Sequence, residues 1–75
     1  EVLSIASNFN YSFILTEEKI RAYNIYGSLL AEIKNEGFQK IVQLNENLIA
    51  IKDNELYYIA LMQNHKKYHN LIPLL

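Results

Sequence analysis

Cysteine and tryptophan are absent from this 75-residue chain, proline occurs once and glycine twice. Without cysteine there is no disulfide framework and no thiolate metal site. Seven Lys plus Arg against eight Asp plus Glu leave a formal charge of -1, so no excess of positive charge points to nucleic acid or to an anionic membrane surface. The uninterrupted apolar runs are a handful of residues long, too short for a transmembrane helix. No initiator methionine and no basic-then-apolar leader open the chain. It therefore reads as cut from something longer, and its compartment is not assigned, with the cytoplasm favoured.

What is present is apolar surface. Hydrophobic residues make up 51%, led by ten Ile, eleven Leu, six Tyr and three Phe. Ile, Tyr and Phe fit a pleated, packed surface and favour strands. Nine Asn favour many short turns, because Asn tolerates left-handed backbone and bonds to its own neighbours. Apolar clusters at Val2–Ala6, Phe13–Leu15, Ile20–Tyr26, Leu29–Ile33, Phe38–Leu44, Leu48–Ile51, Leu56–Met62 and Leu71–Leu75 alternate with polar breaks. Clusters of this length predict eight strands joined largely by hairpins. A folded chain of this size buries only about 60–65% of its unfolded surface. With no staple it is marginal alone, so some of its apolar surface is expected to meet another chain or further sequence.

A shift of 36 residues aligns the chain with itself. It pairs Ile5 with Ile41, Phe13 with Ile49, Leu15 with Ile51, Ile20 with Leu56 and Ile25 with Leu61, with no gap from residue 2 to residue 26. Four strands repeated at this spacing predict an all-β chain of two four-stranded antiparallel blades of a β-propeller, over residues 1–37 and 38–75. The alternative is a small α+β fold. In it Thr16 caps a helix near residues 17–36, with Ile20, Tyr23, Leu30 and Ile33 on one face. Gly27 in its middle costs that helix about 1 kcal/mol.

The stretch Lys19-Ile20-Arg21-Ala22-Tyr23-Asn24 resembles the third strand of a WD-repeat blade, with Tyr23 at the Trp position and Asn24 at the Asp position. In the second copy Glu55–Ala60 lacks the dipeptide, and the Gly-His pair of many such repeats is missing. The hydrogen-bond network of His, Asp and Trp in that family is therefore not carried over. Ile20–Leu30 also resembles blades of the C-terminal propellers of BEACH-domain trafficking proteins. The resemblance implies a non-enzymatic scaffold. A single blade cannot bury both faces, so two blades need further blades or copies of themselves. Three copies would close a ring of six, so a homo-oligomer is the expectation if the chain is complete.

Candidate chemistry is sparse. His65 and His69 flank Lys66-Lys67-Tyr68 at a spacing that can share a metal on a helix, but Lys66 stands where a zinc protease needs its glutamate. The stretch reads instead as a solvated loop, whose two lysines suit an acidic partner at a rim. Glu17-Glu18 and Asp53 with Glu55 read as turn residues rather than a catalytic pair. Tyr23, Tyr26, Tyr57 and Tyr58 read as packed strand residues. Asn10-Tyr11-Ser12 is a glycosylation sequon that matters only in a secreted protein. No catalytic residue, metal or cofactor is assigned. We expect a protein–protein interaction module that presents rim loops at Asn8–Asn10, Asn35–Gly37, Asn45–Asn47 and His65–Asn70 to a protein or peptide. The partner-binding candidates are His65, Lys66, Lys67, Tyr68, His69, Asn45 and Asn47, with no nucleic-acid partner. A self-assembling propeller that binds carbohydrate is the alternative.

Overall fold

The computed structural model describes residues 1–44, 47–59 and 72–73; side chains at 47, 72 and 73 are not described. The chain is all-β. Strands β1 (Val2–Ser7), β2 (Tyr11–Thr16), β3 (Lys19–Asn24) and β4 (Leu29–Lys34) form one antiparallel sheet in chain order. Strands β5 (Lys40–Leu44), β6 (Asn47–Lys52) and β7 (Glu55–Ile59) form a second, to which β8 (Ile72–Pro73) adds two residues beside β7. No helix occurs among the described residues, and none is long and apolar enough to cross a membrane. The helix considered near 17–36 is replaced by β3 and β4. Its segment is rich in Ile and Tyr, and Gly27 takes φ +86°, a left-handed value no helix interior accepts.

The turns explain the strand ends. Asn8 Oδ1 accepts from the amides of Asn10 and Tyr11 at 2.8 and 2.9 Å, which closes the β1–β2 turn. Asn24 Oδ1 does the same for Tyr26 and Ser28 at 2.9 and 3.0 Å, so β3 stops at Asn24 and not at Tyr26 as the apolar cluster suggested. Thr16 Oγ1 accepts from Glu18 and Lys19 between β2 and β3. Asp53 and Asn54, both at positive φ, make the two-residue turn between β6 and β7.

The 36-residue shift holds in the hydrogen-bonded register. Ile5 opposite Ile14 becomes Ile41 opposite Ala50, and Ala6 opposite Phe13 becomes Val42 opposite Ile49. Phe13 opposite Ala22 becomes Ile49 opposite Tyr58, and Leu15 opposite Ile20 becomes Ile51 opposite Leu56. The burial does not follow the same shift. The first sheet buries Phe13, Leu15, Ile20, Ala22 and Ile33, whereas the second gives Ile41, Leu48, Ala50 and Ile59 to the same cluster; Ile49, the counterpart of Phe13, is buried outside it, so β6 is buried on both faces. Side chains alternate across a strand, so the two sheets meet through opposite faces of equivalent strands. Between the sheets, β1 and β5 lie closest. Ser4 clamps them: its Oγ accepts from Ile41 N at 3.1 Å and donates to Ile41 O at 3.3 Å.

The connection from β4 to β5 is built, not slack. Asn35 is buried; its Nδ2 donates to Thr16 O at 2.8 Å and to Phe38 O at 3.1 Å, and its Oδ1 accepts from Phe38 N at 2.7 Å. The expected rim loop Asn35–Gly37 therefore contains a structural tie. Phe38, expected to open a strand, sits before β5 and is buried, edge-on to Tyr57 with ring centroids 5.5 Å apart. Lys52 Nζ lies 5.2 and 5.3 Å from the two rings and donates to Glu36 O. Val2, the counterpart of Phe38 in the shifted alignment, is exposed.

Candidate functional site

The meander sorts its turns onto two ends. The β1–β2 and β3–β4 turns share one end. The β2–β3 turn lies at the other, where Asn35 binds Thr16 and receives the chain from β4. From there β5 starts beside β1, so Leu44 and the start of β6 lie at the first end and the Asp53–Asn54 turn falls at the second. A six-residue strand is about 17–20 Å long. Asn35–Gly37 thus lies a full strand length from Asn8–Asn10, and the two do not form one surface.

Among the described residues the ends differ in chemistry. The second carries Glu17, Glu18, Lys34, Glu36, Asp53 and Glu55, all exposed. The first carries apolar tips on uncharged turns. Phe9 is 97% exposed, Tyr26 85% and Ile25 66%, with Leu29 and Leu44 also exposed. Asn8 and Asn24 hold these tips by the same device, a side-chain oxygen that binds two amides of the turn it opens. The two turns are separated by two strand spacings, about 10 Å. Tyr26, expected inside a packed strand, is therefore a surface residue. The signal that marks it is Asn24 followed by Gly27, a turn signature inside an apolar run.

Of the candidates read from sequence, His65, Lys66, Lys67, Tyr68, His69 and Asn45 lie outside the described residues. Asn47 opens β6, where its backbone faces Leu44. Tyr23 is half-buried on the outward face of the first sheet. Tyr57 packs on the core, and its hydroxyl donates to Glu55 Oε1 at 2.6 Å, a bond that raises its pKa. No group of three His, Cys, Asp or Glu able to hold a metal occurs among the described residues. An open groove of about 400 Å³ runs along Leu29–Glu32, and another of about 250 Å³ is lined by Glu1, Thr16, Glu17, Glu18 and Arg21.

On the outward face of the first sheet Glu32 joins two strands. Its carboxylate accepts from Lys19 Nζ at 2.7 Å and Arg21 Nε at 3.0 Å. These bonds, Lys19 first, hold the Glu32 carboxyl below the usual carboxylate range and raise Arg21 above its ordinary value. All three side chains are partly exposed, so the cluster ties β3 to β4 without the isolation of a reactive centre.

No protein-family model, curated protein or solved structure matches this chain. The likeness to WD-repeat and BEACH-type blades rests on the residues alone.

Proposed function

We propose that this chain is a non-enzymatic interaction module, a β-propeller-like pair of sheets that presents the apolar turn tips of one end to a protein or peptide. The observation that carries this reading is the contrast between the ends among the described residues. Burying Phe9 and Tyr26 in a partner removes apolar surface from water at about 25 cal/mol per Å², and each ring stands on a turn already closed by an asparagine, so little ordering is lost on binding. Aromatic residues on rigid turns are what anchor many protein interfaces. The propeller part of the reading is supported by the 36-residue register and by sheets that approach through their first strands. Carbohydrate binding gains less support, because these rings stand on convex turns and neither groove is lined by an aromatic residue.

Selection of a displayed peptide library on the chain tests the proposal. Peptides enriched on the wild type should bind at least tenfold more weakly to the Phe9→Ser/Tyr26→Ser variant, whose melting temperature should be unchanged. No enrichment, or peptides indifferent to the double substitution, would overturn it.

A further inference from the structure

We propose, on the strength of the propeller-like reading above, that copies of this chain associate head to tail, the outward face of β5–β7 in one copy receiving the outward face of β1–β4 in the next. The internal contact joins two unlike faces. The first sheet contributes Phe13, Leu15, Ile20 and Ala22. Adding 36 to each gives Ile49, Ile51, Leu56 and Tyr58, which the register places together on the outward side of the second sheet. The second sheet contributes Ile41, Leu48, Ala50 and Ile59 to the internal contact. Subtracting 36 gives Ile5, Ser12, Ile14 and Tyr23 on the outward side of the first sheet. Each outward face is thus the counterpart of a face already used inside. The chain carries both halves of one contact, at opposite ends of its stack.

Both faces hold some apolar groups in water, although on the second sheet Ile51, Leu56 and Tyr58 are half-buried. Ile5 is 64% exposed, and Val42 and Leu44 are exposed beside buried Ile49. A contact between unlike faces repeats from copy to copy and either closes a ring, necessarily of an even number of sheets here, or runs on as a filament. The largest departure from the internal pattern is Arg21, which stands where Tyr57 stands in the second sheet; its charge is met by Glu32 in its own sheet, and its aliphatic stem supplies apolar surface. Edge-to-edge pairing of strands is the weaker route. Both edge strands of the first sheet carry an extra residue, Leu3 in β1 and Leu30 in β4, and such bulges disrupt the ladder a new strand would join.

The absence of cysteine makes the contact directly testable. Inside the chain Ser4 touches Ile41; the same shift brings Lys40 of one copy to Ile5 of the next. Lys40→Cys and Ile5→Cys chains, mixed and oxidised, should yield the mixed disulfide in several-fold excess over either homodimer, while Phe9→Cys, at the turn end, should cross-link no faster than free thiols. By light scattering the wild type should run as multiples of 8.8 kDa that dissociate on dilution. Val42→Arg, with an unchanged circular-dichroism spectrum, should run as a monomer. A wild type that is monomeric at every concentration, a predominance of like-with-like disulfides, or a Val42→Arg chain that assembles as the wild type does would each overturn the proposal. Peptide binding that depends on Phe9 and Tyr26 and persists in the monomer would show that the stacking has failed while the interaction module stands.

Discussion

Asparagine does three different jobs in this chain, and its environment decides which. Asn8 and Asn24 close exposed turns with their own side chains. Asn54 accepts a left-handed backbone at φ 66°. Asn35 is buried and satisfies three backbone groups across two segments. Removing the Asn35 side chain leaves those groups without their partner in a site water reaches poorly, and each such loss costs about 1–3 kcal/mol. Asn35→Ala is therefore expected to lower stability by about 2–4 kcal/mol, read as a shift of the urea midpoint with the slope unchanged. At the Asp53–Asn54 turn a β-branched residue meets the left-handed penalty of about 1–2 kcal/mol. Asn54→Ile should cost about that much in thermal unfolding, whereas Asn54→Gly should be neutral or stabilising. The abundance of asparagine makes turns legible in the sequence. Its composition does not reveal that Asn35 is enclosed, because enclosure depends on β2 and Phe38 arriving around it.

The hairpins are specified by local patterns, and the register of each follows from its turn. Among the described residues the strand clusters coincide with the observed elements to within a few residues, the main departures being Ile25 and Tyr26, released into a turn, and Phe38, held ahead of β5; Ala60–Met62 and most of Leu71–Leu75 lie outside the described residues. Period-two alternation identifies which residues share a face, but on strands apolar on both sides it does not say which face is covered. Between β3 and β4 the Lys19–Glu32–Arg21 cluster adds a pH dependence. Folding lowers the Glu32 pKa, so the folded chain resists protonating it. The contribution is complete above the ordinary carboxylate value and is lost as the pH falls through the lowered one. Glu32→Gln should be slightly less stable than the wild type near neutrality, and the two stabilities should converge in acid; denaturant titrations at a series of pH values would show it. The effect is small because the groups are partly exposed, and it should shrink further in high salt.

Among the described residues the two sheets share one buried cluster, so the inner face of each is covered by the other. Leu15 is wholly buried in it, and Leu15→Ala should cost about 2–5 kcal/mol, a large part of the stability of a chain this small. Its unfolding should remain one transition by both circular dichroism and tyrosine fluorescence, because loss of the cluster uncovers both sheets at once. Ile5→Ala, on the outward face, should shift the same midpoint by well under 1 kcal/mol in the monomer.

The sequence by itself determined the all-β class, the strands, most turns and the 36-residue spacing. Each of these depends on residues close together in the chain, through alternation, turn conformation and local hydrogen bonds. Only the tertiary structure decided that equivalent strands meet the shared cluster through opposite faces, that Asn35 is a tie and not a rim residue, and that the apolar tips gather at one end. Those outcomes depend on how one sheet is placed against the other, which is set by packing between residues far apart in the chain and leaves no local mark on either copy.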